Sequence, residues 1–298
     1  MQTSVSNDIR EALSRQAVGA MDLWRRYIRN RPAVLGLLLL AGFMLIAIFA
    51  QNITRFDPLS TRVGPILQPP GGEYWFGTDD RGRDVFSGVI YGTRVSFLVG
   101  LAAVFGSTII GVILGSIAGY AGGGIDDVLM RFTETVMIIP TFVLALLLVA
   151  IFGSSIWNIA LVITVLSWPW AARLVRAEFL TLKGREFVEA SKAIGSSDWF
   201  IIFREILPNA MTSIIVNASL QVANAIIIEA GLSFLGLGDP NVISWGKMMY
   251  DARDYLRFAP WTSLIPGAAI FMLVLCFNLV GDGLNDALNP RLKEVRPK

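Results

Sequence analysis

Five stretches of the chain carry no charged residue. They cover residues 32–54, 95–125, 135–172, 206–228 and 258–281, and run for 23, 31, 38, 23 and 24 residues. A helix needs about 20 apolar residues to cross the hydrocarbon of a bilayer. Inside lipid a helix satisfies its own backbone polar groups, which an open strand cannot do. Composition agrees: 54% of the 298 residues are apolar and only 16% are charged, against about 25% charged in an ordinary soluble domain. The sequence therefore predicts an all-α polytopic membrane protein. Gly153, Ser154 and Ser155 break the longest run into two helices joined by a tight turn. The six resulting transmembrane helices are placed at residues 33–52, 95–120, 133–152, 157–173, 211–231 and 263–283. The fourth ends in Trp168, Pro169 and Trp170, an interfacial stop. The first follows 32 mostly polar residues and reads as a membrane anchor rather than a signal peptide.

Lysine and arginine orient the bundle, because positive loops stay in the cytoplasm. Seventeen of the 25 fall in segment 1–32, in the short loop 121–132, in loop 173–210 and beyond residue 283; eight fall on the other side. Both termini are thus expected in the cytoplasm, and six spans satisfy that parity. The expected organisation is a cytoplasmic N-terminal segment 1–32, a first transmembrane helix 33–52 and an outer loop 53–94. A five-helix core 95–283 follows, containing cytoplasmic loop 173–210 and outer loop 232–262, and then a cytoplasmic tail 284–298.

Several chemistries are excluded. The chain has no histidine, so it cannot form a His-based triad or a His-ligated metal site. Cys276 is the single cysteine and lies in an apolar run. A net charge of +2 is too weak to suggest nucleic acid as a partner. Neither G-x-x-x-x-G-K-[ST] nor G-x-G-x-x-G occurs, so no cofactor is expected in this chain, and any ATP must be held by another.

The cytoplasmic loop carries the strongest chemical signal. Phe187, Ala190, Ser191 and Ile194 fall at i, i+3, i+4 and i+7, one face of a short helix. Gly195 suits its C-terminus. Asp198 is placed to cap a second helix with Trp199, Ile202, Phe203 and Ile206 on its apolar side. Pro208 is expected to interrupt the path into span five. Such a helix-turn-helix either lies on lipid or plugs a groove in a cytoplasmic partner. Small Ala190 and Ala193 suit close approach to a partner, and Glu189 either meets a partner cation or faces water.

This stretch resembles the E-A-A, three residues, G, nine residues, I-x-L-P loop of ABC importer permeases, with Glu189, Ala190, Gly195, Leu207 and Pro208 in register and Ser191 replacing the second Ala. Gly77–Asp84 (GTDDRGRD) followed by Ser87, Gly92, Arg94 and Ser96 looks like the segment before span two of the dipeptide/oligopeptide/nickel permeases. Leu232–Gly238 (LSFLGLG), Ser244-Trp245-Gly246, Phe277-Asn278-Leu279 and the tail through Asn289-Pro290 are similar to later parts of the same family. Gly88, Asn285 and Asn289 depart from its usual residues, and Glu205 stands where the loop motif has Ile, with Ile206 one place later. The resemblance runs from about residue 20 to 293 and is nearest the second, C-type permease of such a system. It implies a type I importer permease fold in a prokaryotic inner membrane, with the loop 173–210 as a coupling helix. The implied partners are a second homologous permease, two ATP-binding subunits that hold ATP and Mg, an extracytoplasmic substrate-binding protein, and lipid. The implied action is alternating access.

Other features admit two readings each. Gly111, Gly115, Gly119 and Gly123 recur every four residues and let helices approach closely, either within the chain or at a permease–permease seam; packing within the chain is favoured. Pro140 marks a kink in span three. Ser213, Asn217, Gln221 and Asn224 form a polar stripe leading to Glu229, which reads as a translocation path. The carboxylates of GTDDRGRD read as local caps and ion pairs, with Asp79 or Asp80 capping the helix into span two; Asp126 and Asp127 read as caps of a cytoplasmic turn. The alternatives to an importer permease are a stand-alone channel or secondary transporter, which leaves the loop helices without a role, and a membrane-embedded enzyme, for which no nucleophile motif is present.

Overall fold

A computed structural model describes residues 24–288. Nine helices organise them: α1 (Arg31–Ile53), α2 (Val85–Ala121), α3 (Gly123–Ile138), α4 (Thr141–Phe152), α5 (Ile156–Lys183), α6 (Glu186–Ala193), α7 (Asp198–Leu237), α8 (Trp245–Ala252) and α9 (Trp261–Leu288). Among the described residues there is no named strand. Helices α1, α2, α5, α7 and α9 are each long and apolar enough to cross a membrane. The sixth expected span is a broken pair: α3 and α4 meet at 80°. Pro140 causes the break. Its ring pushes Ile139 out of the helical region, to φ −79°, ψ 129°, and the ladder stops there. The expected kink is therefore a full corner.

Three helix ends differ from those read in the uncharged runs. Helix α2 starts at Val85 rather than near residue 95, because Asp84 caps it: the carboxylate accepts from Ser87 N at 2.9 Å and Ser87 Oγ at 2.6 Å. Asp79 and Asp80, the expected caps, do other work. Helix α5 continues to Lys183, past the expected end at residue 173. Pro208 does not interrupt α7, which runs on for 40 residues. Proline lacks the N–H that would close the preceding turn, and the ladder widens into a π-helical segment at Ile201–Ile206 just before it. Asn209 Nδ2 then donates to Glu205 O at 2.6 Å.

The densest seam is α2 against α5. Added Cβ atoms at Gly111, Gly115 and Gly119 would strike Ala171, Ala172, Val175, Arg176 and Phe179 of α5. These three glycines pack helices of one chain together; Gly123 sits in open space outside the seam. Val99, Ile159, Ile163, Ile226, Leu232, Trp245 and Leu273 form a buried centre shared by α2, α5, α7, α8 and α9. Helix α1 leans on α9, where Gly36 meets Leu279 and Ala33 meets Gly283. Only Ala33, Gly36 and Ala50 of α1 are buried, so most of its apolar surface faces outward.

Opposite the α6 end, the connection 54–84 and α8 fold over the bundle. Arg83 lies at the centre, with Nε on Asp79 at 2.5 Å and Nη2 on Asp251 of α8 at 2.8 Å. Trp245 Nε1 donates to Val89 O at 2.9 Å and Trp261 Nε1 to Thr78 O at 3.2 Å. Burial, and then neighbouring Asp79, push the Asp80 carboxyl above the ordinary aspartate value.

Candidate functional site

The connection between α5 and α7 is a rigid projection. Helix α6 ends in a paired-bond C-terminal cap: Ser196 N donates to Ser191 O at 3.1 Å and Gly195 N to Lys192 O at 3.0 Å. Gly195 sits at φ +81°, a conformation open to glycine at little cost. Ser197, not Asp198, caps α7, its Oγ accepting from Phe200 N at 3.4 Å. Asp198 instead accepts from Tyr120 Oη at 2.5 Å, tying the loop to the last turn of α2. Lys183 and Lys192 both lie over the Tyr120 ring, at 5.3 and 5.7 Å, and Lys183 Nζ also donates to Tyr120 O. Asp126, expected as a cap, instead receives Arg176 through two bonds of 2.5 and 2.6 Å and locks α3 to α5.

The inward and outward faces differ from the expected ones by one register. Val188 and Ser191 turn into the body of the protein, so Ser191 does not belong to the outer face. Phe187, Glu189, Ala190, Ala193, Ile194 and Gly195 are exposed, Ile194 to 83%. In α7, Ile201 and Ile206 are buried while Trp199 and Phe203 stack outside, ring centres 5.3 Å apart and 7° from parallel. The π segment adds a residue to the turn and moves Trp199 and Phe203 away from the buried side of Ile206. Leu207 is half-buried and Pro208 is exposed. The result is an apolar, aromatic outer surface on a firmly held frame.

The polar stripe of α7 divides. Ser213, Asn217 and Gln221 are half-buried and Asn224 is exposed, its Nδ2 donating to Gln221 Oε1 at 2.8 Å. Glu229 does not continue the stripe. It is 2% exposed, accepts from Ser233 Oγ at 2.7 Å, and its Oε2 has no hydrogen-bond partner among the described residues. Five helical residues beyond Asn224 it points about 140° away, into the chain. No group of carboxylate and cysteine side chains able to hold a metal is present among the described residues.

Sequence reasoning missed Tyr120, Lys183, Lys192 and Arg176. Their partners lie across the chain, Asp198 being 78 residues from Tyr120 and Arg176 50 from Asp126, and no local pattern announces such a pairing.

Comparison with known proteins gives the family. Residues 111–294 match the model of the binding-protein-dependent transport system inner membrane component, and residues 20–70 match the N-terminal transmembrane domain of oligopeptide transport permease C. The chain is 43% identical to the dipeptide transport system permease protein DppC of Alkalihalophilus pseudofirmus, over 92% of each chain. It is 39% identical to the oligopeptide transport system permease protein OppC of Bacillus subtilis, again over 92% of each. The glutathione transport system permease protein GsiD of Pectobacterium atrosepticum is 39% identical over 91% of each. In fold, the chain is similar to a chain of the inward-facing MetNI methionine ABC transporter, with a TM-score of 0.57 and 17% identity, covering 68% of this chain and 96% of that one. Family matches over residues 20–70 and 111–294, on a fold of apolar spans with one projecting loop, lead to one conclusion: the chain belongs to the binding-protein-dependent transport system inner membrane components, the permeases of ABC transporters.

Proposed function

We propose that this permease is one half of the translocation path of an ATP-driven importer of short peptides or a related small solute. It pairs with a second homologous permease, and two ATP-binding subunits dock below. The projection around α6 is the coupling element, and the observation that carries this is its construction. Apolar side chains that would cost free energy in water stand outside, Ile194 at 83% and Trp199 at 72% exposure, on a frame fixed by the α6 cap and the Tyr120–Asp198 bond. A rigid apolar helix fits a groove and transmits its movement, whereas a floppy one would absorb it. In this reading the α6 end and both termini face the cytoplasm, and an extracytoplasmic binding protein delivers cargo to the opposite end. Ser213, Asn217, Gln221 and Asn224 line the path. The names of the relatives, which speak of dipeptides, oligopeptides and glutathione, support the solute class.

The test is Glu189→Ala combined with Gly195→Val in the assembled transporter. Valine at φ +81° breaks the α6 cap, at a cost of about 1–2 kcal/mol. The ATPases should co-purify less well, or hydrolysis should proceed with less solute moved per ATP. Fully coupled hydrolysis in the double variant would refute the docking role.

A further inference from the structure

The end of the bundle opposite α6 holds a cleft of about 740 Å³ between the end of α1, the first turns of α2 and α5, and residues 241–243. Its lining is mixed: Gln51, Thr54 and Arg55 at the end of α1 and just after it, and Arg94 of α2, stand with the apolar side chains Val95 and Leu98 of α2 and Ile156 and Trp157 at the start of α5. Arg94 is half-buried. Its Nε donates to Ala47 O at 2.5 Å and its Nη2 to Ile48 O at 2.9 Å, beside the helix distortion at Phe49, and Nη1 makes no hydrogen bond among the described residues. Arg55 stands over the Trp75 ring at 5.6 Å and has no carboxylate partner among the described residues. Two arginines against one acid, Asp57, leave the lining with a formal charge of +1, and Asp57 already accepts from Leu59 N at 2.8 Å. Trp157 and Tyr91 flank it, the residue types that settle at the membrane–water boundary.

We propose that this cleft binds the phosphate headgroup of an anionic glycerophospholipid, with the start of an acyl chain against Leu98, Ile156 and Trp157. Guanidinium groups bind phosphate through directed, charge-assisted hydrogen bonds. A ligand with an anionic group and an apolar chain matches both the arginines and the apolar side chains of the lining. The volume lies within the range of small-molecule sites. Because the bound headgroup bridges Arg55 after α1 and Arg94 on α2, it staples the first span to the core, which α1 otherwise touches mainly through α9.

The experiment uses the delipidated, assembled transporter and native mass spectrometry with dioctanoylphosphatidylglycerol, dioctanoylphosphatidylcholine and inorganic phosphate as separate probes. Phosphatidylglycerol should bind and raise the unfolding midpoint. Phosphatidylcholine should bind at least about tenfold more weakly, and inorganic phosphate should have no effect, having nothing to bury. Arg55→Gln should weaken phosphatidylglycerol by about tenfold, the loss of one charge-assisted bond. Trp157→Ala should weaken it too; both side chains are exposed, so these variants stay interpretable if Arg94→Gln fails to fold. Equal binding of the two lipids, an equal response to inorganic phosphate, or unchanged binding in both Arg55→Gln and Trp157→Ala would overturn the proposal. A photo-crosslinker at residue 157 that captures the second permease instead of lipid would do the same.

Discussion

Glu229 and Asn224 sit on one helix, yet their neighbours give them different tasks. Glu229 holds the last turns of α7 in place through Ser233, close to where Ala230 O abuts Gly246 of α8. Asn224 is exposed, and its side-chain hydrogen bond is to Gln221 on the same helix. Glu229→Ala leaves Ser233 without its acceptor and opens a gap, so it should destabilise by about 1–3 kcal/mol. Glu229→Gln keeps an acceptor oxygen and should lose less. Asn224→Ala should leave the unfolding midpoint unchanged and alter solute preference in an uptake assay. Thermal unfolding of the purified transporter, beside competition uptake, separates the two; a destabilised Asn224→Ala with an unaffected Glu229→Ala would invert the assignment. The polar residues of α7 were visible in the sequence because they interrupt an apolar run. That Glu229 leaves the stripe follows from helical spacing, but what it packs against was concealed there, since α8 arrives from later in the chain.

Helices were legible as elements because lipid imposes length and the loss of charge, and both can be counted. Their ends were not, because an end is set by capping and pairing rather than by hydropathy. Asp84 starts α2 ahead of its apolar run, and Arg176, paired to Asp126, lets α5 carry a charge beyond the expected stop. The α2–α5 seam shows what the glycine repeat does. At Gly115 an added Cβ would strike Ala172 O and lie 2.8 Å from Val175 Cβ and 3.1 Å from Arg176 N, so backbone as well as side chain must move. Gly115→Leu should therefore destabilise by at least about 1–3 kcal/mol, the usual cost of overpacking. Gly42→Leu on α1, where nothing lies within 4 Å, should stay within about 0.5 kcal/mol of the parent. Measured unfolding midpoints of the two variants decide it. Equal effects would mean that the α2–α5 approach is not what holds these helices.

On the scale of the whole molecule, the polar stripe lies on a face of α7 that is half-exposed in the single chain. A water-filled route across lipid needs polar walls all round, since unsatisfied polar groups facing hydrocarbon are costly. On the proposed reading this chain supplies one wall. The projecting α6 surface makes the same point at the other end, because exposed Ile194 and Trp199 have no apolar cover among the described residues. On that reading the chain is completed twice, beside itself by the second permease and beneath itself by the ATPases, and a ligand bound to other subunits biases its two states. The prediction is that proteoliposomes holding this permease alone show no saturable uptake of di- or tripeptides, with or without ATP. Adding the second permease, the ATPases and the binding protein should produce uptake that requires ATP and saturates with peptide. Saturable flux from the isolated chain without nucleotide would mean that it encloses a route by itself, which the open stripe on α7 argues against.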